Sequence, residues 1–112
     1  MNRQVSGFQG RPNKPVDTCY SFWIGGTLRL LDALEMVDFG ENRKYIMSTQ
    51  DNIIGGFRKW PDGNMTDPMH TYLGLCGLSL MNEEGLSPIQ PSLNVTERAY
   101  KYLKKIHETW NS

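Results

Sequence analysis

The chain has 112 residues, is 38% hydrophobic and balances 12 basic against 12 acidic side chains. That length suits one small domain or a portion of a larger one, and the charge balance leaves no electrostatic footprint for nucleic acid or an anionic membrane. No apolar stretch nears the roughly 18 residues that span a bilayer, and the polar first residues do not read as a signal peptide, so a soluble, cytoplasmic chain is expected.

Residues 1–16 carry Gly7, Gly10, Pro12 and Pro15 and read as loop. Asp17 can cap a helix from Thr18 to about Met36 whose first half, from Tyr20 through Leu34, is apolar on several faces. Such a helix, with Gly25 and Gly26 permitting close approach, belongs inside a helix assembly. Gly40 punctuates the chain, and residues 42–49 predict a short helix with Tyr45 and Ile46 inward. Gly55-Gly56-Phe57 and Pro61-Asp62-Gly63 open a second loop, which ends at Asp67-Pro68, a capping carboxylate followed by proline at the first helical position. The next helix, to about Met81, is again apolar with glycines at 74 and 77. After the Pro88/Pro91 loop, Asn94 and Glu97 have capping-box spacing. A last helix then carries Val95, Ala99, Tyr102, Leu103, Ile106 and Trp110 on one stripe, with Lys101, Lys104 and Lys105 on the solvated side.

Cys19 and Cys76 are too few for a disulfide scaffold, and the apolar run around Cys76 predicts a buried thiol there. Asn64 and Asn94 match the glycosylation sequon, but without a secretory signal neither is expected to be modified, and Asn94 has a local use as a helix cap.

The chain repeats itself. Gly7-Phe8 recurs as Gly56-Phe57, Asp17 as Asp67 and Gly26 as Gly77, at offsets of 49, 50 and 51 residues. Each copy is a Gly-Phe loop, a capping Asp and an apolar helix interrupted by glycine. A period near fifty marks a stacked or toroidal array of helical pairs, whose units cannot bury their apolar faces alone. Two units and a final helix are too few to close a ring, so the chain reads as a piece of something larger.

In such an array the loops before the two apolar helices land at the same end. They bring Asp17, Cys19 and His70 together, three ligands that leave zinc's fourth position open, as catalytic rather than structural zinc sites do. A helix N-terminus favours thiolate and disfavours imidazolium, biasing both groups toward their metal-binding states. Asp67 reads as a cap or as a partner behind a ligand. Each residue also has a plainer reading: Cys19 as a small buried hydrophobe, His70 as a histidine of a cap region, Asp17 as a cap.

Before the first ligand, Arg11-Pro12-Asn13-Lys14-Pro15 holds two cations in a stretch restrained by two prolines, a fork and a point charge suited to a diphosphate. A basic pair in a loop is also what an ordinary solvated turn looks like. Arg58-Lys59 occupies the matching loop of the next unit. Tyr20, Phe22, Trp23 and Tyr72, near the helix starts, suit either an aromatic lipid surface or plain core.

The segments GFQGRPNKPVDTCYSFW (7–23), GGFRKWPD (55–62), HTYLGLCGLSLM (70–81) and PSLNV (91–95) strongly resemble the C-terminal portion of the beta subunits of type I protein geranylgeranyltransferases, a branch of the protein prenyltransferase family. The resemblance covers nearly the whole chain. It implies an all-α fold, part of an alpha–alpha barrel (toroid) of roughly 50-residue helical repeats, with residues 1–112 an incomplete C-terminal segment of that domain. It implies zinc on Asp17, Cys19 and His70, diphosphate contacts from Arg11, Lys14 and Tyr20, and an isoprenoid contact from Trp23. Lys59 falls where type I enzymes carry a lysine and farnesyltransferase an aspartate associated with magnesium, which implies a catalytic cation and a magnesium-independent reaction. The implied activity is transfer of a geranylgeranyl group from its diphosphate to the C-terminal Cys-aliphatic-aliphatic-X cysteine of small GTPases and similar proteins, with an alpha subunit as partner. The fragment alone is expected to be inactive.

Three other readings stand beside this one. The chain could be a non-catalytic zinc-binding helical interaction module. It could belong to the Rab or farnesyl subtype, and Asp67-Pro68 resembles the Rab form of that loop. A terpene-cyclase toroid is disfavoured, because nothing here resembles the Asp-rich acid motif of a cyclase.

Overall fold

A computed structural model of the chain describes residues 6–112, and the first five positions of the expected loop lie outside the described residues. In chain order come α1 (Tyr20–Leu30), a 3₁₀ turn (Leu34–Met36), α2 (Phe39–Ser48), α3 (Pro68–Leu80), a two-stranded ribbon of β1 (Ile89–Gln90) and β2 (Val95–Thr96), and α4 (Glu97–Trp110). The architecture is all-α apart from this short ribbon, as expected. The small antiparallel ribbon, Ile89 opposite Thr96 and Gln90 opposite Val95, carries no sequence signal long enough to predict it.

The first helix is shorter than its apolar pattern predicts. Asp17 Oδ1 accepts the Cys19 N–H at 3.0 Å, so the carboxylate closes a turn ahead of the helix and Cys19 itself takes the N-cap position. At the other end Asp32 adopts φ 56°, and the Ala33 N–H folds back to the Leu28 carbonyl at 2.8 Å. A short polar side chain tolerates that left-handed conformation, which ends a helix as glycine would. The 3₁₀ turn that follows buries Leu34. Fifty residues on, α3 ends by the same device: Asn82 has φ 60° and the Glu83 N–H bonds the Leu78 carbonyl at 3.1 Å. The repeat therefore extends from the residue types to the backbone.

Two other boundaries move. Asp38 caps α2 by accepting the Glu41 N–H at 3.0 Å, which draws Gly40 into the first turn instead of leaving it as a breaker. Thr96, not Asn94, caps α4, its hydroxyl accepting the Ala99 N–H at 3.1 Å. Asn94 sits at φ 50° in the ribbon turn, and an N-cap requires the extended conformation that Thr96 has. The Asp67-Pro68 start of α3 is as expected, with Asp67 Oδ1 accepting the His70 N–H at 2.8 Å.

The pairing of α1 with α3 positions the site. Their contacts advance together along both helices, from Thr18 against Gly74, through Ser21 against Gly77, to Gly25 against Leu80, so the helices run parallel. The approach is close enough that a methyl group at Gly77 would collide with the Ser21 side chain and lie 3.2 Å from its carbonyl carbon. Both helix N-termini thus face one end. The core between them holds Cys19, Phe22, Leu34, Leu73, Cys76, Leu80 and Ile89, and a second cluster of Ile46, Phe57 and Leu78 seats α2. Both cysteines are free and buried. The apolar stripe of α4 forms as predicted, yet no residue of α4 is buried. Among the described residues no helix is long and apolar enough to cross a membrane.

Candidate metal centre

The parallel packing brings Asp17, Cys19 and His70 together, each buried, with their ligand atoms all within 4.8 Å of one another. Asp17 arrives on the turn before α1, Cys19 on the N-cap, and His70 in the first turn of α3. His70 is fixed from behind. Its Nδ1 lies 2.6 Å from Asp67 Oδ2, while the other oxygen of the same carboxylate caps the helix. A carboxylate can only accept, so Nδ1 carries a proton, and in the neutral ring Nε2 is then the nitrogen with a free lone pair. Burial alone would raise the Asp67 pKa, but the His70 backbone N–H and ring outweigh it and hold the carboxyl below its usual range.

Nε2 of His70 faces a second carboxylate. Nε2 is 3.2 Å from Asp17 Oδ1, and it is a buried nitrogen that makes no hydrogen bond. With the ring neutral, these two facing acceptors attract only when a proton or a metal cation lies between them. Thiol, imidazole and carboxylate are the donor set zinc takes, and the three form one candidate metal-binding site.

On the protein's own charges the Cys19 thiol is pushed up to about 12, first by burial and then by the hydrogen bond and charge of Asp17, with Trp23 and Lys59 pulling weakly the other way. This outweighs the thiolate preference of a helix N-terminus expected from sequence. A divalent cation reverses the balance, since a coordinating thiol is deprotonated outright.

Beside the triad is a cavity of about 350 Å³ lined by Gly10, Arg11, Lys14, Pro15, Asp17, Tyr20, Lys59 and Trp60. Three cations and a phenol thus converge on one opening whose wall includes a carboxylate of the metal site. Lys59 Nζ lies 3.8 Å from Asp17 Oδ2 and 4.7 Å from the centre of the Trp60 ring, so it stands between the two sites. Its neighbour Arg58 does not join them; its guanidinium pairs with Asp51 at 2.5 Å. Trp23 is half exposed and lies outside the lining of this cavity. A larger cavity, about 970 Å³, lies beneath α4 between Ser87, Thr96 and Tyr102 and holds none of the triad.

Sequence reasoning missed two residues that hold the site. Thr18 is fully buried and its hydroxyl donates to the Arg58 carbonyl at 2.6 Å, and the Tyr45 hydroxyl donates to the Val16 carbonyl at 2.8 Å. The Tyr45 position read only as inward-facing, and Thr18 lay between two candidate ligands without a role of its own.

A helical repeat with a buried Asp/Cys/His cluster at the parallel helix ends, next to a cationic pocket, defines the class as a helical-repeat protein with a candidate metal centre. The chain belongs to the prenyltransferase alpha-alpha toroid domain family, which matches residues 1–95. Within it, sequence and structure match type I geranylgeranyltransferase beta subunits. The chain is 43% identical over 99 residues to the Dictyostelium discoideum geranylgeranyl transferase type-1 subunit beta, covering 88% of this chain and 28% of the relative. The Arabidopsis thaliana counterpart is 48% identical over 97 residues, covering 85% and 25%. A solved structure of the Candida albicans protein geranylgeranyltransferase-I complexed with GGPP superposes with a TM-score of 0.82 at 38% identity, over 92% of this chain and 31% of that one. The chain therefore spans between a quarter and a third of the length of the relatives it matches.

Proposed function

We propose that residues 1–112 act as the C-terminal segment of a prenyltransferase beta subunit, paired with an alpha subunit in the cytoplasm. The activity is zinc-dependent transfer of a geranylgeranyl group from geranylgeranyl diphosphate to the cysteine of C-terminal Cys-aliphatic-aliphatic-X sequences on small GTPases and similar proteins. The observation that carries this reading is the meeting of Asp17, Cys19 and His70 beside a pocket lined by Arg11, Lys14 and Lys59.

Asp17, Cys19 and His70 would hold zinc, which would supply a Lewis acid able to lower the pKa of an incoming thiol toward neutrality. The sulfur replaces the diphosphate at C1 of the lipid: an S–C bond forms, the C–O bond breaks, and the thiol proton leaves to solvent. Arg11, Lys14, Lys59 and Tyr20 hold the diphosphate and stabilise the charge it gains as it departs. Lys59 provides positive charge from the protein, so magnesium is not required. Trp23, exposed at the next turn of α1, offers a ring to the isoprenoid. His70, held at Nδ1 by Asp67, serves as a ligand through Nε2 rather than as a proton-transfer group.

Titrating zinc into the assembled alpha–beta protein and its Cys19→Ala form tests this. Stoichiometric zinc that depends on Cys19, with prenyl transfer to a Cys-aliphatic-aliphatic-X peptide, is expected. An assembled protein that binds no zinc overturns the mechanism. Zinc without transfer to any such peptide would leave a non-catalytic zinc-binding module.

A further inference from the structure

The hydroxyl of Tyr45 has no part in the chemistry above, yet it lies at the joint between the metal centre and the cationic pocket. Tyr45 stands on α2, a different helix from any of the triad. Its Oη donates to the Val16 carbonyl at 2.8 Å and is 3.2 Å from the Lys59 carbonyl. Val16 directly precedes Asp17. Lys59 faces the pocket and approaches the other oxygen of Asp17.

The same two loops are tied a second time. The Lys59 carbonyl accepts from the Thr18 backbone N–H at 3.1 Å, and the Thr18 hydroxyl donates to the Arg58 carbonyl at 2.6 Å and lies 3.1 Å from that of Lys59. Hydrogen-bond donors from α2 and from the Asp17 turn therefore converge on carbonyls in both loops. The tyrosine ring fits because residue 7 is glycine: a Cβ there would lie 2.7 Å from Tyr45 Cγ and 2.6 Å from Val16 Cγ1. Burial, followed by the Asp17 charge, pushes the phenol up to about 12, so it remains a donor across the working pH range.

We propose that Tyr45 is a positioning residue that locks the Asp17 loop to the Lys59 loop, so that metal affinity and prenyl-diphosphate affinity both depend on its hydroxyl. Tyr45 touches neither ligand. It acts through the Val16 and Lys59 carbonyls, which set where the Asp17 carboxylate and the Lys59 ammonium stand relative to each other. This rests on the functional reading above and adds a residue outside the site.

The test is Tyr45→Phe in the complete, alpha-paired beta subunit, with zinc affinity read by competition against a chelator and KM and kcat read for geranylgeranyl diphosphate. Zinc affinity is expected to fall about threefold to tenfold and the diphosphate KM to rise by a similar factor, the size of one hydrogen bond's effect on an equilibrium. In a Lys59→Ala background the KM effect of Tyr45→Phe should shrink, because one of the pocket cations that Tyr45 positions is gone. Thr18→Val, which removes the second hydroxyl tying the Asp17 turn to the Lys59 loop, should reproduce both losses. Ser48→Ala removes a hydroxyl that bonds only within α2, to the Tyr45 carbonyl, and should change neither. A lower melting temperature with unchanged zinc and diphosphate affinities in both Tyr45→Phe and Thr18→Val would overturn the proposal alone. So would a KM effect that persists undiminished with Lys59→Ala. A wild-type complex lacking Cys19-dependent zinc would overturn the functional reading and this proposal together.

Discussion

Removing the Asp67 carboxylate separates its two jobs, because each oxygen does one of them. Oδ1 caps α3 through the His70 N–H and Oδ2 accepts from His70 Nδ1. Asn keeps a cap-competent oxygen, so Asp67→Asn should cost at most a few tenths of a kcal/mol in helix stability. It loses the charged acceptor that fixes the imidazole tautomer and ring angle, and loss of such a partner lowers metal affinity about 10- to 100-fold. Asp67→Ala loses both functions and should show the same fall in affinity plus about 1 kcal/mol of stability from the missing cap. The Asp67 side chain is 39% exposed, so its charge is partly screened and the effect should lie toward the lower end of the affinity range. Zinc affinity measured against a competing chelator, alongside melting of the metal-free assembled protein, reads the two quantities separately. Wild-type zinc affinity in both variants would refute the argument, and an Asn variant as unstable as the Ala variant would refute the division of labour between the oxygens.

The Cys19 thiol must lose a proton to bind metal, and its pKa stands at about 12 before metal arrives. Metal affinity should therefore rise with pH through the neutral range, by up to about tenfold per unit, with proton release visible by calorimetry in buffers of different ionisation enthalpy. Affinity that is flat with pH would show that Cys19 is not a ligand. Gly77→Ala would place a methyl against Ser21 and should destabilise the α1–α3 pair by about 1–3 kcal/mol, read as a lower melting temperature. Thr96→Ala should cost about 1 kcal/mol because the hydroxyl caps α4, whereas an unchanged melting temperature would return the cap to another residue.

What could be read in the sequence follows the range of the forces involved. The repeat, the four helices and the Asp67-Pro68 start of α3 are local patterns, and each is found close to where periodicity and capping chemistry place it. The meeting of Asp17, Cys19 and His70 also follows, because a repeat that stacks like helices in parallel must bring equivalent loops to one end. Boundaries that depend on one backbone conformation do not follow. Asp32 at φ 56° ends α1 six residues before its apolar pattern ends, and Asn94 at φ 50° moves the α4 cap to Thr96. Burial exerts the other non-local effect. From sequence, a cysteine at a helix start suggests a lowered pKa, but packing it beside Asp17 in a closed core drives it the opposite way. The Tyr45 and Thr18 hydroxyls were hidden for a related reason. Their partners are backbone carbonyls 14 to 41 residues away, and a carbonyl has no residue type that a sequence pattern could display. The ligands of this centre were therefore legible in residue identity, while the contacts that hold the ligands still were set only by the fold.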